Sequence, residues 1–249
     1  EMGAITVITS GKGGVGKSTV TAHLGRALAM RGRRVLIMDG DAGLRCQDLL
    51  LGVSSSLLFD MGDVVRGNCE PIRAIYECSD TPGLWLLPAP QKWENRLSPY
   101  VMRQLAELLA DYYDHVLIDS PAGIDEGFEA ACAAAQRALV VTQCTPVCLR
   151  SSEHVHRLLT DRGIRQQRLI INRFSYAAFR RQDDFDDLDS VIDTAGIRLM
   201  GIVPEDALLT RSGDQKSLLL RRSAGFAAMQ RLAARLEGES VPLGSLRKF

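Results

Sequence analysis

Residues 11–19 read Gly-Lys-Gly-Gly-Val-Gly-Lys-Ser-Thr, and this stretch decides the fold. Four residues separate Gly11 from Gly16, and Lys17 and Ser18 follow at once, which is the spacing of a phosphate-binding loop. Glycines let consecutive backbone N–H groups curl around phosphate oxygens, and a helix opening at Lys17 adds its positive N-terminal end. The expected cradle is Gly11, Gly13, Gly14, Val15, Gly16, Lys17, Ser18 and Thr19. Lys17 is expected on the β- and γ-phosphates and the Ser18 hydroxyl on Mg²⁺. A second lysine, Lys12, stands at the start of the loop, where phosphate binding alone does not require one.

The loop follows an apolar run at 5–10 and leads into helical periodicity over 19–31, closed by Gly32. Apolar runs at 34–39, 84–87, 116–119, 139–142, 169–172 and 198–203 predict further strands, buried on both faces. Helices are predicted over 57–66, 99–112, 126–135, 148–162, 185–195 and 225–236. This alternation predicts an α/β fold, a mostly parallel twisted sheet of about seven to eight strands with helices on both faces. No Pro/Gly/Ser-rich linker interrupts it, so a single domain is expected over 2–238, followed by a tail over 239–249. The acidic run at 183–189 reads as a solvated helix start.

A content of 46% hydrophobic and 24% charged residues fits a globular chain, and zero formal net charge gives no bulk electrostatic reason to expect nucleic acid. No apolar run reaches the length of a membrane span and no signal peptide is expected, so a cytoplasmic protein is anticipated. The six cysteines include no Cys-x-x-Cys pair; Cys144 and Cys148 lie closest, and reduced thiols in a core are expected.

Two acidic strand ends complement the loop. Asp119 closes the run at 116–119 and suits a Mg²⁺ ion held through water. Asp39 and Asp41 follow the second strand, at the carboxyl edge where doubly wound sheets bind ligands. Taken singly, each aspartate also suits a helix N-cap or a turn.

The segment from Lys12 to Thr19 resembles the deviant Walker A loop of the MinD/ParA ATPases, and within them most closely the division-site selection branch. Asp39-Gly-Asp-Ala-Gly-Leu-Arg45 resembles that branch's first switch and Asp119-Ser-Pro-Ala-Gly-Ile124 its second. Val203-Pro-Glu-Asp206 resembles its late nucleotide loop, and residues 84–90 the Leu-Pro-Ala stretch before a central helix. The likeness runs from about residue 3 to about residue 237. It implies a Mg²⁺-dependent P-loop ATPase that binds ATP or ADP, forms a homodimer on ATP, and serves as a spatial switch in septum placement.

The resemblance also implies particular roles. Lys12 would reach the ATP of the partner subunit, Asp41 would position the attacking water, and Asp39 would join Asp119 and Ser18 around Mg²⁺. Asn172 would contact adenine beside Arg173, with Pro204, Glu205 and Asp206 lining the base pocket. Arg45 matches a position used for partner docking and switch coupling. The implied partners are a MinC-like inhibitor and a MinE-like or other polarity protein. The chain departs from the pattern at Ser18, where threonine is usual, at Cys46 and Gln47, where Asn-Leu is usual, and at Ser152 and Glu153.

A flagellar-number regulator of the same family shares nearly every motif, although such proteins often carry an N-terminal helix and this sequence begins close to its first strand. An iron–sulfur carrier on the same fold is a more distant alternative, poorly served by Cys144-x-x-x-Cys148. A DNA-partitioning ATPase would need a basic face, and Arg180–Arg181 and Arg221–Arg222 are too few and scattered, so no specific nucleic acid is expected. In the tail, Leu243, Leu246 and Phe249 recur every third residue beside Arg247 and Lys248. That pattern reads either as a frayed terminus or as a short amphipathic tip for an anionic membrane, which would place the protein at the inner face of the cell membrane.

Overall fold

The computed structural model describes residues 2–42, 44–92, 94, 96–210, 220 and 222–246. Its eight-stranded sheet comprises β1 (Ala4–Thr9), β2 (Val35–Asp39), β3 (Tyr76–Glu77), β4 (Leu84–Leu87), β5 (His115–Asp119), β6 (Arg137–Thr142), β7 (Gln166–Phe174) and β8 (Leu199–Pro204). The spatial order is β3-β4-β2-β5-β1-β6-β7-β8. Every neighbouring pair is parallel except β3 with β4, where the two-residue strand closes one edge antiparallel.

Alternation along the strands sends side chains into two separate cores. Ile5 and Val7 of β1, Leu36 and Met38 of β2 and Val116 and Ile118 of β5 pack on one face. There they meet α4 (Pro99–Ala110), α5 (Glu126–Cys132), α6 (Pro146–Asp161) and α8 (Leu188–Ala195). Ile8, Val35, Ile37 and Leu117 face the other way, toward α1 (Lys17–Ala29) and α9 (Ala224–Leu236). With both faces covered, strands that would alternate in a half-exposed sheet read as continuous apolar runs.

The seven expected strands are all present, and β3 is the eighth, too short to register as a run. The helix expected over 57–66 is shorter, α3 (Met61–Val65), because Asp60 caps it through a reciprocal capping box with Asp63. Two short helices had no counterpart in the sequence reading: α2 (Cys46–Leu51) and α7 (Tyr176–Phe179). In the acidic run, Asp187 caps α8 by accepting from the Ser190 N–H at 2.8 Å, so the helix begins at the end of the run. Of the tail, Arg247, Lys248 and Phe249 lie outside the described residues. Its described part is not helical over 241–245. It is held to the body by Arg235, which donates from Nε to the Val241 carbonyl at 2.8 Å, while Leu246 packs against the first core.

Candidate nucleotide site

The loop after β1 and the ends of β2, β5, β7 and β8 meet at the carboxyl edge of the sheet. Two glycines of the loop are dictated by close approach. A Cβ on Gly11 would stand 2.4 Å from the Ser151 carbonyl oxygen on α6. Gly16, which precedes α1, has φ 89° and a Cβ there would lie 2.3 Å from the Asn172 amide nitrogen. No L side chain fits that combination without strain.

Lys17, in the first turn of α1, is buried and ion-pairs with Asp119 Oδ1 at 2.8 Å. The Thr21 hydroxyl donates to the same oxygen at 3.3 Å. Register sets the ends of β2 and β5 side by side, so Asp39 lies directly opposite Asp119. Burial and then the neighbouring Asp119 charge hold the Asp39 carboxyl well above the usual carboxylate range, despite N–H donors from Asp41 and Gln47. Asp41, half-buried, is raised by burial; Lys17 opposes this and Asp119 reinforces it.

Gln47 is the residue that sequence reasoning missed. It appeared there only as a departure from a family pattern, yet it is fully buried beneath the site. Its Nε2 donates to Asp119 Oδ2 at 2.7 Å and to the Ser18 carbonyl at 3.0 Å, and its backbone N–H reaches Asp39 Oδ2 at 3.3 Å. Arg45, left-handed at φ 49°, turns the chain into α2 and thereby places Gln47 under the loop. Arg45 itself approaches Asp48 at 3.8 Å.

These residues fit a divalent cation. Buried carboxylates forced together by strand register, with a hydroxyl nearby, are hard oxygen donors whose mutual repulsion a dication relieves. Among the described residues no group of three or more His, Cys, Asp or Glu forms a metal cage. Mg²⁺ takes one or two carboxylates and completes its shell with waters and substrate phosphates, and Asp39 and Asp119 at adjacent strand ends supply that number.

A cavity of about 240 Å³ adjoins the loop, lined by Gly16, Thr19, Asn172, Arg173, Pro204, Glu205 and Asp206. All the residues expected around the base are thus gathered in one place. The means is an irregularity: the β7–β8 register shifts between Ile171 and Phe174, and Arg173 adopts φ 51°. Asn172 Nδ2 donates to the Val15 carbonyl at 2.8 Å, and Arg173 Nη1 to the Gly14 carbonyl at 3.1 Å, so this bulge also steadies the loop. The Asp206 carboxylate faces inward, accepting from the Ser223 hydroxyl at 2.7 Å and from the Gly225 and Leu208 N–H groups. Burial raises the Asp206 pKa, but these donors outweigh it and hold the group below its ordinary value.

Lys12 differs from its neighbours. It is exposed, and its ammonium makes no hydrogen bond or ion pair among the described residues. Burial and then the nearby Cys148 push the pKa of the Cys144 thiol up to about 12.

The CobQ/CobB/MinD/ParA nucleotide-binding domain model matches residues 6–219. The septum site-determining protein MinD of Synechocystis is 37% identical, over 97% of this chain and 92% of its own length. Its Bacillus subtilis counterpart is 34% identical over 99% of this chain and 94% of its length. Among solved structures, MinD from the MinC:MinD cell division complex of Aquifex aeolicus aligns with a TM-score of 0.87 at 32% identity, covering 97% of this chain and 98% of that one. MinD complexed with Mg-ADP from Pyrococcus horikoshii gives 0.82 at 29%, covering 95% and 97%.

Proposed function

The chain belongs to the CobQ/CobB/MinD/ParA nucleotide-binding family, and on that footing we propose that it is a Mg²⁺-dependent ATPase whose ATP-bound homodimer acts in septum placement. The observation that carries the reading is Lys12, an exposed cation without a partner beside a loop whose own Lys17 is already engaged with Asp119. A phosphate loop served only from within its subunit has no use for it. Reaching the γ-phosphate of a facing subunit, Lys12 would stabilise charge that develops in the transition state, as an arginine finger does.

In this reading Lys17 and the loop amides bind the β- and γ-phosphates, and Ser18, Asp39 and Asp119 hold the cation. Mg²⁺, when bound, neutralises phosphate charge and orients the β- and γ-oxygens. Asp41 orients the attacking water, and Asn172 accepts from the adenine amino group while keeping its bond to Val15. Hydrolysis removes the charge that Lys12 bridges, so turnover and dissociation are coupled. A MinC-like partner and a MinE-like or other polarity protein fit the same reading, as does an anionic membrane surface met through the tail. No helix among the described residues is long and apolar enough to cross a membrane.

Mixing variants tests the action across subunits. Lys12→Ala and Asp41→Ala should each bind ATP and hydrolyse it about 10³-fold more slowly, the lower end of an arginine-finger effect. In a mixed dimer, the site on the Lys12→Ala subunit keeps its own Asp41 and receives an intact lysine from the partner. An equimolar mixture should therefore regain up to about a quarter of wild-type turnover, since random pairing makes half the dimers mixed and one site in each competent. Wild-type turnover in Lys12→Ala alone, or no recovery in the mixture, would overturn the role.

A further inference from the structure

At the amino edge of the sheet, remote from the phosphate loop, lies a cavity of about 620 Å³. Four arginines line it: Arg137 opening β6, Arg168 on β7, Arg198 before β8, and Arg235 in the last turn of α9. None of them forms an ion pair with a carboxylate among the described residues. Arg137 donates to the Thr6 hydroxyl at 2.6 Å, to the Leu236 carbonyl at 3.3 Å and toward His115 Nδ1 at 3.2 Å, all neutral acceptors. Arg235 binds the carbonyls of Val241 and Met200, and Arg168 the Gln167 carbonyl at 2.8 Å. The side chain of Arg198 makes no hydrogen bond among the described residues.

The carboxylates on this edge are already committed. Glu237 pairs with Arg31 and Arg33, and Glu239 with Arg31. Burial pulls Arg137 below its ordinary pKa with only Glu237 opposing, and burial with Arg231 does the same to Arg235. A guanidinium fork binds phosphate or carboxylate oxygens bidentately, and four guanidinium groups around one cavity suit the doubly charged phosphate monoester more than a singly charged carboxylate. Leu199, Leu236 and Leu243 supply an apolar wall beside them.

The geometry points to a second ligand site, separate from the nucleotide site, for a phosphate ester gripped through its phosphate. Arg137 and Arg235, half-buried and fixed by carbonyls, form its rigid part. Arg168 and Arg198 are exposed, and among the described residues Arg168 holds only its neighbour's carbonyl, so both side chains can turn toward the phosphate. The same chemistry is offered by a soluble glycerol phosphate and by the headgroup of an anionic phospholipid. Leu243 and the Val241 carbonyl bring the tail to the cavity, which favours the second source.

The test uses the full chain saturated with Mg-ADP, so that the phosphate loop is filled. In one arm, sn-glycerol 3-phosphate is titrated calorimetrically; in the other, vesicles of phosphatidylcholine with and without phosphatidylglycerol are sedimented. Each is repeated with Arg168→Ala/Arg198→Ala, two exposed side chains. Saturable binding in either arm that weakens about tenfold or more in the double variant supports the site, and the arm that responds identifies the source. Equal binding by wild type and variant in both arms, or no saturable binding in either, overturns it. ATP turnover plays no part in the readout, so failure here leaves the ATPase reading untouched.

Discussion

Removing the Asn172 side chain separates two tasks that the structure gives it. In Asn172→Ala the Val15 carbonyl loses its 2.8 Å donor. Val15 is buried, so the cost is that of an unsatisfied acceptor, about 1–3 kcal/mol, more than the net worth of one neutral hydrogen bond. In a chain of this length each kcal/mol moves Tm by about 2–4 °C, so the nucleotide-free protein should melt roughly 2–12 °C lower. The second task is base recognition. Loss of the amide leaves the adenine amino group without its acceptor, which should weaken ATP by about tenfold while affecting GTP much less. Scanning fluorimetry without nucleotide and calorimetric titration with ATP and GTP measure the two effects independently. An unchanged Tm would refute the bond to Val15, and a lower Tm with an unchanged ATP-to-GTP preference would refute the base contact.

Gln47→Leu restores the apolar residue usual in the resembled pattern but strips Asp119 Oδ2 of its buried donor. Relief of the partnerless Gln47 Oε1 offsets part of this, leaving a net loss of about 1–2 kcal/mol, seen as a lower urea midpoint at unchanged m; an unchanged midpoint would show that the bond contributes nothing. His115 is held below its ordinary value of 6.5 by burial and then Arg137, with Glu237 opposing and Arg33 adding. Its depressed folded pKa means that the unfolded chain takes the proton first as pH falls, so stability drops from about pH 6.5 downward until the folded pKa is passed. His115→Gln should flatten urea midpoints across that window, and an unaltered slope would assign the dependence elsewhere. Ending the chain at Ser240 should reduce ATP-dependent sedimentation with phosphatidylglycerol vesicles if the tail is a membrane tip, whereas equal sedimentation rejects that function.

The phosphate loop was legible because its demands fall on consecutive residues: positive φ, absent side chains and a helix start are all written within nine positions. Asp39 and Asp119 were legible for a related reason, since each ends an apolar run and such runs end at one edge of a parallel sheet. Gln47 was not legible. Its place depends on a left-handed turn at Arg45, and nothing in local composition marks a non-glycine residue for that conformation. Likewise β3 carries only two residues, below the length at which alternation can be read, and it exists because β4 offers an edge. The four arginines of the amino-edge cavity lie on β6, β7, α9 and the turn before β8, spread over about a hundred residues, so only the fold brings them together.

One consequence belongs to α1. Its thirteen residues make a rod about 20 Å long. One end is the phosphate loop, and just beyond the other Arg31 and Arg33 are clamped to Glu237 and Glu239 at the close of α9. Glu239 also borders the arginine-lined cavity. Arg31 and Arg33 are partly exposed in these pairs, so water screens the link, and α1 is held chiefly by its packing on the sheet and α9. The helix that carries Lys17 runs from one edge of the sheet to the other, so the nucleotide cavity and the arginine-lined cavity sit at opposite ends of a single element.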